Sequence, residues 1–106
     1  MTLLKLTNSP KRYAWGSVDL IPQLLGLKPD GEPQAELWFG THPSSPAEVL
    51  DEDGGKLSAR IEPLGFLVKF LAASAPLSIQ AHPSREHASM RFAEGYPGYS
   101  DPNHKP

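Results

Sequence analysis

The sequence contains no cysteine, which excludes disulfide bridges and thiolate metal ligands and favours a cytoplasmic protein. A metal site in this chain must therefore use nitrogen and oxygen donors. No apolar run approaches the roughly 20 residues of a membrane span, and residues 1–10 contain no apolar segment of signal-peptide length. We therefore expect no membrane partner and no targeting segment.

A basic surface is also absent. The 10 lysines and arginines are scattered among 12 acidic residues, and the net charge is −2. Proteins that bind nucleic acid usually concentrate positive charge on one face, so we expect no nucleic-acid partner. The chain also lacks a glycine-rich phosphate loop, so any phosphate ligand is expected to be small and to be recognised by single side chains.

Proline and glycine are abundant, with 12 and 9 residues, and they fall between short apolar segments. This spacing is typical of short strands joined by turns. Two stretches, residues 20–25 and 84–94, instead have helical spacing. A chain of 106 residues suffices for one small domain. The pattern predicts a mainly β domain with two short helices.

Each predicted helix has a capping residue before it. Ser17 or Asp19 precedes the first helix, in which Leu20 and Leu24, with the neighbouring Ile21 and Leu25, are expected to form an apolar stripe. Ser84 precedes the second helix and is followed by an acidic residue in the first turn. Both helices are expected to be structural.

The segment 76–83 combines apolar and polar residues in strict alternation. As a strand, it would place Gln80 and His82 on one face, with their Cα atoms roughly 6.5 Å apart, and Leu77 and Ile79 on the other. An amide oxygen and an imidazole nitrogen both suit zinc, but a catalytic zinc site usually has about three protein ligands. The alternative is a half-buried strand with a solvated polar face.

Two further strands are predicted, at residues 36–42 and 66–73. Glu36 opens the first, and a buried carboxylate there would need a partner, whereas an edge-strand glutamate would simply be solvated. Lys69 carries the only charge in the second strand, and it must either reach solvent along its stem or meet an anion. His42 has no second ligand spaced with it and is interpreted as structural.

Five segments of the chain together resemble a known family: Tyr13-Ala14-Trp15-Gly16-Ser17, Ala35-Glu36-Leu37-Trp38-Phe39-Gly40-Thr41-His42-Pro43, Phe66-Leu67-Val68-Lys69-Phe70-Leu71, Leu77-Ser78-Ile79-Gln80-Ala81-His82-Pro83 and Asp101-Pro102-Asn103-His104-Lys105-Pro106. They resemble, in the same order, the type I mannose-6-phosphate isomerases, which are zinc-dependent phosphomannose isomerases of the cupin superfamily. The resemblance implies a cupin-type jelly-roll β-sandwich, of which residues 1–106 would be the incomplete N-terminal part of the catalytic domain.

The resemblance also implies an activity and a set of site residues. The reaction is the reversible interconversion of mannose 6-phosphate and fructose 6-phosphate through an enediolate, with one zinc ion per complete site. Gln80 and His82 would bind the metal. The general base is not assigned, and its titratable candidates are Lys105, Lys69 and Glu36. Contact with the phosphosugar would come from Ser78, Lys105 and Trp15.

The chain departs from the family pattern in one respect that affects activity. In the family, the block ending at Pro106 is followed by a zinc-binding glutamate, and a histidine ligand and an arginine near the phosphosugar lie further on. We therefore expect the 106-residue chain alone to have little activity and to self-associate through unpaired strand edges. The alternatives are a non-catalytic cupin module that binds a metal or sugar, and a purely structural β domain.

Overall fold

The computed structural model describes residues 3–99 and 101–103. This part of the chain forms two antiparallel pairs of strands and two α-helices. The strands are β1 (Leu6–Thr7), β2 (Glu36–Phe39), β3 (Glu48–Val49) and β4 (Val68–Leu71), and the helices are α1 (Leu20–Leu24) and α2 (Arg85–Ala93). Small antiparallel sheets and two short helices agree with the sequence prediction. A complete jelly roll is not formed by the described residues.

The sheet of β2 and β4 separates an apolar core from a polar face. Leu37 on β2 is only 2% exposed and packs in a cluster with Ile21 and Ala72. Its neighbour Trp38 points to the opposite face because side chains alternate along a strand. Trp38 is paired with Lys69 on β4, and directly opposed residues share a face. The strand pairing therefore brings a tryptophan and a lysine together on the polar side.

The second sheet covers a separate small core. Leu6 of β1 is paired with Val49 of β3. Both residues belong to one apolar cluster. Its buried members are Ala47, Val49 and Leu57, and the partly buried leucines packed against them are Leu4, Leu6 and Leu64. A chain of this length buries only a modest fraction of its surface, so its core consists of two small clusters.

Helix α1 is correctly predicted in position, but only Ile21 of its expected apolar stripe is buried. Leu20 and Leu24 are 51% and 60% exposed, whereas Ile21 and Pro22 are buried. A helix of five residues completes little more than one turn, so it presents one narrow face to the core. Ile21 occupies that face. The hydroxyl of Ser17 accepts the backbone N–H of Leu20 at 3.3 Å, as a capping side chain would.

Helix α2 begins and ends close to the predicted positions. The Ser84 hydroxyl accepts the backbone N–H of His87 at 3.2 Å, which satisfies one of the free donors at the helix start. Ala88 of this helix is fully buried.

Among the residues that the structure describes, no helix has the length and apolar character needed to cross a bilayer.

The segment 76–83 is not a strand, and this part of the sequence prediction is wrong. Within residues 3–99 and 101–103 no strand pairs with it, and Ile79 is fully exposed. A strand requires a neighbour that takes up its backbone N–H and C=O groups, and the described sheets end before this segment. Local alternation alone therefore does not produce a hydrogen-bonded strand here.

Candidate functional site

A cleft of about 540 Å³ lies between the polar face of β2 and β4 and the segment 76–83. It is lined by Trp15, Glu36, Lys69, Leu71, Pro76, Leu77, Ser78, Gln80 and His82. Every predicted site residue within the described part of the chain is in this set. Lys105, the remaining predicted residue, lies outside the described residues.

Glu36 is the buried acid of the cleft. Its side chain is only 8% exposed, and its Oε2 accepts the indole N–H of Trp38 at 2.6 Å. Its Oε1 lies 3.5 Å from the Lys69 ammonium. The carboxylate therefore has the partners that burial requires. Of the two alternatives for Glu36, the partnered carboxylate is confirmed and the solvated edge-strand glutamate is wrong.

Lys69 meets an anion and also reaches solvent. Its ammonium lies 3.5 Å from Glu36 Oε1 and 5.6 Å from the ring centroid of Trp38, while its side chain remains 42% exposed. An ion pair with one partner this exposed adds little net stability. The ion pair is significant because it fixes the position of the Lys69 ammonium at the cleft, where the lysine side chain remains partly exposed.

Trp15 is placed at the cleft by hydrogen bonds that cross the sheet end. The backbone N–H of Ser17 donates to the Ala72 carbonyl at 2.8 Å, and the N–H of Ser74 donates to the Trp15 carbonyl at 2.8 Å. The indole of Trp15 packs against Tyr13, with ring centroids 5.6 Å apart. The backbone of residues 15–17 is thus hydrogen-bonded to Ala72 and Ser74, which follow β4.

Gln80 and His82 lie on the wall between two clefts. Both line the 540 Å³ cleft, and both also line a neighbouring cleft of about 410 Å³ together with Ala81, Pro83, Gly98, Tyr99, Asp101 and Asn103. Ser78 and Leu77 are adjacent and would point to opposite faces of a strand, yet both line the larger cleft and neither lines the smaller one. The expected separation into a polar and an apolar face is therefore incomplete in this segment.

The donors of Gln80 and His82 fit zinc in type but not in number. An amide oxygen and an imidazole nitrogen are ligands that zinc accepts, and the two side chains share one cleft. Within residues 3–99 and 101–103, however, no group of three or more histidine, aspartate, glutamate or cysteine side chains could hold a metal ion. Zinc at this position would require at least one ligand in addition to Gln80 and His82.

Trp38 is the residue of this region that sequence reasoning missed. The sequence patterns assign it no part in the site. The available signal was its spacing of two residues from Glu36, which puts both side chains on one face of a strand. The Lys11 ammonium also lies 4.7 Å from the centroid of the Trp38 ring.

An open cleft with a few convergent polar groups is typical of a domain that binds a small polar ligand. Comparison with known proteins identifies the family. The family model "Phosphomannose isomerase type I, catalytic domain" matches residues 3–62 and 54–106, and the chain belongs to this family. The resemblance carried by the five sequence segments is thereby confirmed.

Curated relatives agree with this assignment. The chain is 37% identical to the mannose-6-phosphate isomerase of Escherichia coli K12, over 96% of this chain and 34% of that protein. It is 32% identical to the mannose-6-phosphate isomerase of Homo sapiens, over 95% of this chain and 30% of that protein. The chain thus spans about one third of the length of these relatives.

Solved structures are similar to the chain along nearly all its length. A variant of the phosphomannose isomerase from Salmonella typhimurium has a TM-score of 0.80 and 34% identity, covering 97% of this chain and 32% of that one. A mannose 6-phosphate isomerase bound with zinc and yttrium has a TM-score of 0.76 and 34% identity, covering 95% and 33%.

Proposed function

We propose that this chain carries part of the active site of a mannose-6-phosphate isomerase, a zinc-dependent enzyme that interconverts mannose 6-phosphate and fructose 6-phosphate. The observation that supports the proposal most directly is the cleft, in a member of this family, that gathers Trp15, Glu36, Lys69, Ser78, Gln80 and His82. Residues from four separate segments of the sequence meet there, which a purely structural domain would not require.

We also propose that residues 1–106 are the N-terminal part of a catalytic cupin domain with a jelly-roll sandwich. The span of about one third of the relatives' length supports this proposal. The two short sheets would then be completed by further strands. A cytoplasmic location is part of the same proposal and is supported by the absence of cysteine.

The substrate is a phosphosugar, and the described residues offer it a cation, a hydroxyl and an aromatic surface. Lys69 presents a partly exposed ammonium, which suits an anionic oxygen as a point charge. Ser78 supplies a hydroxyl donor from the opposite wall, and Trp15 lies at the same cleft. We propose that Lys105 adds a second positive charge for the phosphate.

The reaction moves a proton between C1 and C2 of the sugar, so it needs a group that reaches that proton at about 2.6–3.2 Å. Glu36 is deeply buried, and both its oxygens already face donors. Lys69 is more accessible. We therefore propose that Glu36 orients the Lys69 ammonium, and we assign no base among the candidates Lys105, Lys69 and Glu36.

Zinc bound by Gln80, His82 and a further ligand would supply a Lewis acid for the substrate carbonyl. In this proposal the chain contributes the amide oxygen of Gln80 and an imidazole nitrogen of His82 at the wall of the cleft. We expect zinc to raise the melting temperature of the protein, since a ligand that binds only the folded state stabilises it. His82→Ala should abolish this rise. His87→Ala, which changes an exposed histidine on α2, is the matched control and should retain it.

The activity test follows the conversion of mannose 6-phosphate to fructose 6-phosphate by NMR with added zinc. We expect turnover in the complete enzyme, loss of turnover in its Lys69→Met variant, and little turnover in the 106-residue chain. Binding without turnover in the complete protein would favour a non-catalytic cupin module. Full turnover by the 106-residue chain would contradict the proposal that it carries only part of the site.

A further inference from the structure

We propose that Trp38 is a positioning residue of this site. Its indole N–H fixes the Glu36 carboxylate, and the carboxylate in turn fixes the Lys69 ammonium at the cleft. The inference rests on the proposed function of the cleft and adds a residue that does not itself line it.

The two oxygens of Glu36 have different partners. Oε2 accepts the Trp38 indole N–H at 2.6 Å, and Oε1 faces the Lys69 ammonium at 3.5 Å. A carboxylate without the indole bond could rotate and present both oxygens to the lysine. Because Oε2 is occupied, only one oxygen faces Lys69, and the lysine is held at a single point.

The indole that makes this bond is itself held in place. His42 packs edge-on against it at 5.2 Å, and the Lys11 ammonium lies 4.7 Å from the ring centroid. Lys11 is fixed in turn, since it donates a hydrogen bond to the Ser44 carbonyl at 3.1 Å. On the strand, Trp38 is directly opposite Lys69. A ring restrained in this way presents its N–H in one direction, toward Glu36.

The consequence for function concerns the free donors of Lys69. An ammonium has three N–H donors, and Glu36 takes up one of them. The remaining donors are available to an anionic substrate in the cleft. If Glu36 turned both oxygens toward the lysine, a second donor of the ammonium would be occupied, and the phosphosugar would bind more weakly.

The first experiment observes the indole directly. The chain contains two tryptophans, so a ¹⁵N-tryptophan sample gives two indole signals, and Trp38→Phe assigns one of them. We expect Glu36→Gln to shift the Trp38 signal and to weaken the NOEs between its ring and the Lys69 side chain. Glu48→Gln, the same change at an exposed glutamate on β3, is the matched control. If Glu36→Gln leaves the Trp38 signal unchanged, as Glu48→Gln is expected to do, the proposal is overturned.

The second experiment is a double-mutant cycle on the complete enzyme, in which calorimetry measures the dissociation constant of mannose 6-phosphate. Trp38→Phe keeps the ring but removes the N–H, and we expect it to weaken binding about 3- to 10-fold. In a Glu36→Gln background the same change should have no further effect, because Trp38 acts only through Glu36. Independent, additive losses would mean a merely structural role and would overturn the proposal.

The two experiments separate the positioning role from the proposed function. If the unmodified protein binds no mannose 6-phosphate, the proposed function fails, and the indole signal still decides whether Trp38 holds Glu36. Melting curves of Trp38→Phe and Glu36→Gln show whether both variants are folded, and the Glu36→Gln measurement does not depend on the stability of the tryptophan variant.

Discussion

Gly16 approaches the backbone of Ala35 so closely that a Cβ atom on Gly16 would lie 2.6 Å from the Ala35 Cα. Ala35 is fully buried, so its backbone cannot move aside easily. We expect Gly16→Ala to lower the free energy of unfolding by about 1–3 kcal/mol, measured by urea denaturation. It should also displace the adjacent Trp15 from the cleft, which its tryptophan fluorescence would report.

The matched control for this substitution is Gly65→Ala. A Cβ at Gly65 meets no atom within 4 Å, and Gly65 is not among the glycines with positive φ. We expect Gly65→Ala to be neutral or to stabilise the protein by up to about 1 kcal/mol, because it reduces the entropy of the unfolded chain. Equal losses in the two variants would contradict the close approach at Gly16.

The core beneath β2 predicts a large effect at Leu37. Leu37 is 2% exposed and packs with Ile21, so Leu37→Ala should remove about 2–5 kcal/mol of stability by leaving a cavity. Leu27→Ala, at a residue that is 63% exposed, should change stability by no more than about 0.5 kcal/mol. Thermal unfolding of the two variants provides the comparison, and a loss at Leu27 as large as that at Leu37 would disprove this assignment of the core.

The turn after β3 contains an ion pair with well-defined geometry. Arg60 contacts Asp51 through two nitrogens, at 2.9 and 2.7 Å, and also donates to the Gly54 carbonyl at 3.2 Å. We expect Arg60→Met to cost about 1 kcal/mol, which is high for a surface pair, because the contact is bidentate. Lys56→Met removes a single contact of 3.9 Å to Glu48 and should cost almost nothing. Urea denaturation would distinguish the two.

The pH dependence of Asp30 follows from its neighbours. The Arg12 guanidinium hydrogen-bonds to Asp30 at 2.8 Å, and the Glu32 backbone N–H adds a second bond, so the pKa of Asp30 lies below its ordinary value of 3.8. The stability that this pair contributes is therefore complete above pH 3.8 and is lost as the pH falls through the lowered pKa. Because the pair is exposed, the effect on unfolding should be small.

Arg12→Met should move the pKa of Asp30 back toward 3.8. The carboxyl ¹³C shift of Asp30, followed by NMR from acid to neutral pH, measures this directly. High salt should move the pKa of Asp30 in the same direction in the unmodified protein, since exposed charges are screened. A titration of Asp30 that is the same with and without Arg12 would contradict the assigned cause.

Several features were predictable because they depend on residues that are close in sequence. The strands predicted at residues 36–42 and 66–73 form over part of those ranges as β2 and β4, and the Ser84 cap correctly located the start of α2. The structure groups the described candidate residues in one cleft, and the roles that the family resemblance implies for them stay predictions.

Other features could not be predicted because they depend on what packs nearby. The apolar stripe on α1 was wrong for all its members but Ile21, since a helix this short buries only the residues that face the core, Ile21 and Pro22. The strand at 76–83 was wrong because no described strand pairs with it. In both cases the local pattern was present, but the neighbouring element that it needed was not.

By itself, the sequence determined which side chains share a face of each strand, where α2 begins, and which donors a metal could find here, because these properties follow from local backbone geometry and residue chemistry. Only the tertiary structure decided that the Glu36 carboxylate divides its two oxygens between the Trp38 indole and the Lys69 ammonium. That arrangement depends on the register between β2 and β4, which joins residues about 30 positions apart.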